Sequence, residues 1–404
     1  MKEWDVAVIG AGPAGAVCAA LLARRGLKVL VVEKQRFPRF RIGESLLPIV
    51  LPVFKEMGFE PNPSYSLRKG GALVTSENPD QSYRISFEHV LPDCPTYAYQ
   101  VLRSQFDLAL IDRARDMGAH VQFEHRVSSI REDEHGVTLE GPHGPVRARY
   151  LVDAGGQSAP SIGRQRKWVR GMGRFATFRH YRGVRSEKAR TMFASGDILL
   201  LLIPGGSWAW AIPLPDDHLS LGVVAKDGDK AMAPQKVFGN LLASSSLMKD
   251  LLRGAEPVSQ IYRCSDFSYY NRQPHGPRTV ALGDAHAFLD PVFSAGVSLA
   301  ITASHLLDPH LAKAVSHDKP LELDDYHAYL DRGYQVYERL IERFYRPGWA
   351  HTTFFSDEKP DAYVRELNTM LAGDVWREDN LWQNRLLASR RRTISYQDGT
   401  HPRA

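Results

Sequence analysis

Gly10, Gly12 and Gly15, placed directly after the apolar run Trp4-Asp5-Val6-Ala7-Val8-Ile9, have the spacing that holds a phosphate. The first glycine of such a turn allows its tightness and the second lets backbone amides approach a pyrophosphate. The third, just past Ala14, lets strand and helix pack closely, while the helix amino terminus supplies positive potential. A second apolar strand, Lys28 to Glu33, ends in a carboxylate that can take ribose hydroxyls. Strand, glycines, helix, strand and acid therefore arrive in the order a dinucleotide site needs, with FAD and NAD both open. A second stretch, Ser207-Trp208-Ala209-Trp210-Ala211-Ile212-Pro213, sets two indoles one residue apart. On a strand, Trp208, Trp210 and Ile212 share a face and Ala209 and Ala211 take the other, while Pro213 ends the donor pattern. That face reads as an apolar patch between sheets.

These residues need a parallel sheet for the nucleotide and a second layer for the indoles. Tyr150 to Gly156 resembles the V-D-A-S-G strand end of a flavoprotein superfamily, which implies that this segment, and likewise Thr279 to Ala285, returns the chain to the first sheet. Gln100 to Asp107 leads a helix that ends at Met117-Gly118. Alternation in Tyr83 to Phe87 and in Leu219 to Val224 predicts a second, largely antiparallel sheet. A helix is expected to follow Val297 through about Leu307. Asp324 to Phe344 reads as an amphipathic helix closed by Pro347-Gly348, and Asp361 to Leu371 and Asn380 to Arg390 read as helices capping the substrate side. His351, Phe354, Phe355 and Trp376 either line that side or pack its core.

Composition narrows the function classes. The chain of 404 residues is 43% apolar and 24% charged, ordinary for a globular protein. Its formal charge of +5 comes from scattered Lys and Arg, and the one run, Arg390-Arg391-Arg392, reads as a solvated tail, so no nucleic-acid partner is expected. Cys18, Cys94 and Cys264 show no paired spacing, which argues against disulfides and a structural metal. The most apolar window, Ile198 to Leu214, is broken by Pro204-Gly205-Gly206, so no membrane span is expected. The amino terminus has no leader pattern, which predicts a cytoplasmic protein.

Arg36-Phe37-Pro38-Arg39-Phe40-Arg41-Ile42-Gly43-Glu44-Ser45-Leu46-Leu47-Pro48 resembles the F-x-R-x-x-I-G-E-S-L-L-P segment of the phenol- and pyrrole-type FAD-dependent halogenases and their monooxygenase and geranylgeranyl-reductase-like relatives. The resemblance implies FAD, and an α/β, Rossmann-like GR2 fold with an inserted antiparallel-sheet substrate domain and a helical carboxyl-terminal segment. On its motifs the FAD-binding core is discontinuous, about 1–60, 100–160 and 275–310, with inserts at 61–99 and 161–274 and a helical segment from 311 to 404. It implies that Arg41, Ile42, Gly43, Glu44 and Ser45 form a strap at the flavin, that Arg103 of the R-x-x-F-D helix helps hold it, and that Asp284 meets its ribityl chain.

His286 to Val297 resembles the halogenases' D-P-x-F-S-S-G-V turn. That implies that Pro291, Gly296 and Val297 face the cofactor and that the amides of Ala295 and Gly296 hold a halide; Ala295 lacks the hydroxyl many relatives carry there. Free amides at a helix amino terminus suit an anion. Tryptophan halogenases have a glutamate where this chain has Phe293, which argues against free tryptophan as substrate. Lys69, in Leu67 to Leu73, resembles the K-x-G-A lysine of phenolic and carrier-bound pyrrole halogenases. A desolvated amine becomes a nucleophile or strong donor, suited to passing a halogen from hypohalous acid to carbon. Ser207 to Pro213 matches W-x-W-x-I-P in full. Trp208, Trp210, Ile212 and Pro213 are thereby implied to wall substrate off from the flavin.

With no second strand-glycine-helix unit for a nicotinamide, the resemblance implies a separate reductase delivering FADH2, with chloride or bromide as co-substrate. The substrate is an electron-rich aromatic ring, free or carrier-tethered. Two other readings stay open on the sequence: a flavin monooxygenase or geranylgeranyl-reductase-like oxidoreductase, and a non-catalytic flavoprotein.

Overall fold

A computed structural model describes residues 4–160, 166–169, 173–226, 231–265, 267–356 and 359–389, with 396–398 described as backbone. The Arg390-Arg391-Arg392 run lies outside the described residues. The β-branched runs Trp4–Ile9 and Val29–Val32 pair in parallel, and Trp4–Ile9 pairs on its other side with Val146–Asp153. His120–Gln122 extends one edge in parallel. Along the far edge, Thr279–Ala281 runs parallel to the end of Val146–Asp153, while Gly136–Glu140 and Ser129–Asp133 add an antiparallel pair beside its start. Helix Pro13–Arg24 covers one face together with Arg103–Asp116 and Ala295–His317, burying Val8, Val31, Leu21, Phe106 and Ile301. Ala7, Ile9, Leu30 and Val32 are buried on the other face. Burial on both faces explains why these strands read as continuous apolar runs.

The expected second sheet has eight strands among the described residues. From one edge run Glu256–Pro257, Arg174–Arg182, His218–Lys226, Ser207–Leu214, Ile198–Ile203, Gly71–Thr75 and Ser82–Ser86, with Tyr262–Ser265 also beside Arg174–Arg182. It is antiparallel except where Ile198–Ile203 meets Gly71–Thr75. Ala209, Ala211, Leu221 and Val223 point to a separate core covered by helices Glu187–Ser195, Pro234–Ser244 and Ser246–Leu251. Trp208, Trp210 and Ile212 point the opposite way, into the main core.

Two boundaries differ from expectation. The indole strand runs past Pro213 to Leu214. Its pairing with Ile198–Ile203 stops at Ala211 while pairing with His218–Lys226 continues, so Pro213 occupies an edge, where a missing donor is tolerated. The helix expected to stop near Leu307 continues through Pro309 to His317. Leu311, Ala314 and Val315 are buried on the same face as Leu307, and that packing outweighs the cost of an interior proline, about 3 kcal/mol.

The carboxyl-terminal part is helical at Asp324–Phe344, Trp349–Phe355, Asp361–Leu371 and Leu381–Ala388. Trp376 and Phe354 are buried in its core, and His351 is exposed. Among the described residues, no helix is long and apolar enough to cross a membrane, and no cluster of three His, Cys, Asp or Glu is arranged for a metal.

Candidate active site

A cavity of about 480 Å³ is walled by both sheets. At one end lie Gly10, Gly12, Ala14 and Glu33. Gly10 takes φ +94°, and a Cβ on Gly15 would fall 2.0 Å from the Gly10 carbonyl oxygen, so Gly15 serves helix-strand contact and stays off the wall. A Cβ on Gly12 would meet only Arg39 Nη2, at 3.6 Å, so the space this glycine leaves belongs to whatever occupies the cavity. Glu33 accepts from the Ala11 amide and the Gln35 amide, both at 2.9 Å, which holds its carboxylate at the turn.

Arg41, Ile42, Gly43, Glu44 and Ser45 all line the cavity. Gly43 takes φ +99°, and its neighbour Arg103, also on the wall, donates to the carbonyls of Ile42 at 2.6 Å and Gly43 at 3.2 Å. Arg103 is itself held by Asp107, with Nε to Oδ1 at 2.8 Å and Nη2 to Oδ2 at 3.0 Å. Asp107 is buried and also takes Arg39 Nη1 at 2.9 Å. This carboxylate, the last residue of the R-x-x-F-D motif, went unassigned in the sequence although it ties two arginines to the strap. Beside it, Glu44 Oε1 and His180 Nε2 share a hydrogen bond of 2.6 Å.

Lys69 ends the short strand Ser66–Lys69, which pairs with Ala98–Val101. Its side chain is buried behind Ser45 and does not reach the cavity wall. Nζ donates to Ser45 Oγ at 2.8 Å and to the Leu46 carbonyl at 3.1 Å, and lies 5.2 Å from the Phe87 ring centroid. Burial pushes its amine down to about 7, opposed by the charge of Asp197.

Trp208, Trp210 and Ile212 form one wall, with Phe178 and Ile198 beside them. The two indole centroids are 5.9 Å apart. Trp210 fits because its cross-strand partner is Gly222, where a Cβ would fall 2.3 Å from the indole Cζ2. Pro213 is buried and off the wall. Opposite, Pro291, Ser294, Gly296 and Val297 line the cavity at the start of helix Ala295–His317, while the Ala295 side chain is buried off the wall. Phe293 is also off the wall, its ring edge-on to Phe344. Asp284 lines the cavity, and burial raises its carboxyl to about 6, opposed by Arg103, Arg41 and Arg166. Phe178, Ile198 and Gly222 lie in strands whose residues carry no motif, and only the folded sheet brings the first two to this wall and Gly222 behind Trp210.

The donor set fits a flavin dinucleotide. A helix amino terminus, the cradle at Gly12 and an acid meet the nucleotide end, and arginines, a flat strap and an aromatic wall occupy the other. The model of the FAD binding domain family matches residues 3–339. Tryptophan 2-halogenase of Chondromyces crocatus is 32% identical over 319 residues, 74% of this chain and 59% of its own. The 1H-pyrrole-2-carbonyl peptidyl-carrier-protein brominase of Pseudoalteromonas luteoviolacea is 29% identical over 409 residues, 95% of this chain and 96% of its own. The solved structure of the flavin-dependent brominase Bmp2 superposes with a TM-score of 0.84 at 25% identity, covering 96% of this chain and 98% of that one. The chain spans about two thirds or less of the length of the first relatives it matches.

Proposed function

From the premise that the chain belongs to the FAD binding domain family and, within it, to the flavin-dependent halogenases, we propose that it halogenates an electron-rich aromatic ring, with Lys69 as the relay. When bound, reduced FAD supplies the electrons with which oxygen converts chloride or bromide to hypohalous acid. The glycine turn and Glu33 hold the nucleotide end, Arg103 and the strap orient the ring end, and the amides of Ala295 and Gly296 hold the halide. Trp208, Trp210 and Ile212 keep the organic substrate away from the flavin. The observation that carries this reading is Lys69: a buried amine brought down to about 7, one hydrogen bond behind the Ser45 hydroxyl on the cavity wall. An amine near neutrality offers its lone pair to an electrophilic halogen at working pH.

The brominase matched over nearly its whole length acts on a carrier-bound pyrrole carbonyl, which supports a pyrrole-like substrate tethered to a carrier protein. FADH2 comes from a separate reductase.

The test supplies FADH2, oxygen and bromide or chloride with a panel of phenols, indoles, tryptophan and pyrroles, free and carrier-tethered, and reads products by mass spectrometry. The expected result is a halide-dependent product bearing a halogen isotope pattern. Lys69→Ala should lose that product by at least about 100-fold, within the range for a group acting on the reacting atoms, while still binding FAD. Absence of halogenated product across the panel, or hydroxylation that needs no halide, would overturn the proposal.

A further inference from the structure

The two tryptophans of the wall are anchored differently. Trp210 Nε1 donates within its own sheet, to Ser220 Oγ at 3.2 Å. Trp208 Nε1 leaves the sheet and donates to the Tyr345 hydroxyl at 2.9 Å, and that hydroxyl donates onward to Asp290 Oδ2 at 2.9 Å. Asp290 Oδ1 accepts from the Val292 amide at 3.1 Å, capping the turn Pro291–Phe293. Ser294 follows at φ +56°, and helix Ala295–His317 begins. Tyr345 closes helix Asp324–Phe344 and thus comes from the carboxyl-terminal segment. Its ring is covered by the Arg174 guanidinium, 3.4 Å from the centroid, and Arg174 Nη1 donates to the Gly206 carbonyl just before the indole strand.

A phenol hydroxyl has one proton to give and lone pairs to receive. Here it uses both at once, on two groups that come from different parts of the fold. We propose that Tyr345 is a positioning residue that locks the Trp208 wall to the Asp290 turn, so that the barrier against substrate and the halide-holding amides keep one fixed separation. The inference rests on the halogenase reading of that turn. Nothing in the motifs of the turn or the indole strand names Tyr345, which lies 55 residues beyond Asp290 in the chain.

Among the described residues, the charged and titratable groups facing Asp290 are the Tyr345 phenol and the Arg174 guanidinium, and burial raises its carboxyl to about 6 against both. Tyr345→Phe keeps the ring under Arg174 and removes only the hydroxyl. It leaves the Trp208 N–H without an acceptor and Asp290 without its phenol donor.

The experiment uses the FADH2-loaded enzyme with oxygen, a substrate the wild type halogenates, and bromide titrated across pH 5 to 8. For Tyr345→Phe the expected result is a bromide KM raised about tenfold, the usual consequence of an unpaired buried polar group. More hydrogen peroxide should be released per FADH2, while FAD affinity stays within twofold. In the wild type, bromide KM should rise with pH as Asp290 ionises beside the halide turn, and in Tyr345→Phe that inflection should move to higher pH. Asp290→Asn, which keeps an acceptor for Tyr345, should abolish the inflection. A wild type that halogenates, with a Tyr345→Phe KM within twofold and the inflection unmoved, overturns the role of Tyr345 alone. A wild type that halogenates nothing overturns the function and this inference together.

Discussion

Lys69 is buried, and its two hydrogen-bond partners, Ser45 Oγ and the Leu46 carbonyl, are uncharged. Desolvation therefore outweighs the attraction of Asp197, and the amine falls from its ordinary value to about 7. Forming a nitrogen-halogen bond needs the lone pair, so the proton must already be gone. With the folded value near 7, the free amine is the minor form at pH 6 and the major form at pH 8. Halogenated product formed per unit time at saturating halide and FADH2 should accordingly climb across that window with a midpoint near 7. A rate that falls across the same window would assign the working role to the ammonium form as a hydrogen-bond donor.

Within the indole strand, Trp208 and Trp210 owe their common direction to strand periodicity, but the room for Trp210 comes from the neighbouring strand. Gly222 sits opposite it, and any side chain there would occupy the indole's position. Gly222→Ala should tilt or expel Trp210, and overpacking of this kind costs about 1–3 kcal/mol. A drop in melting temperature together with more hydroxylated or unhalogenated product would show it, and an unchanged indole environment by fluorescence would argue against it. This element also shows what could be read from the chain. The indole face, the glycine turn, the strap and the Asp324–Phe344 helix were legible because each carries a local period or a contiguous motif. Gly222, Phe178, Asp107 and Tyr345 were not, because their parts in the site arise from pairings across distant segments. The end expected near Leu307 and the donor pattern expected to stop at Pro213 fell short for a related reason: the packing that carries the helix through Pro309 and the edge position that tolerates Pro213 are visible only in the fold.

Across the whole molecule, the parallel sheet with its glycine turn and the mostly antiparallel sheet with its indoles meet at one cavity, and the carboxyl-terminal helices reach its wall through the Tyr345 hydrogen bond to Trp208. A ligand held by residues from Gly10 to Ala300 stabilises only the folded chain. FAD at 100 times its Kd should add about 2.7 kcal/mol, which for a chain of this size is a rise in Tm of about 3 °C. Thermal melts with and without FAD check it, and coincident melts would contradict a shared flavin site. The most direct test of the central claim is product formation by wild type and Lys69→Ala side by side, each loaded with FADH2 and supplied with oxygen, bromide and a carrier-tethered pyrrole. Brominated pyrrole from the wild type, with none from a Lys69→Ala enzyme that still binds FAD, is the result expected. Equal bromination by both would contradict the relay, and no bromination by either would contradict the function.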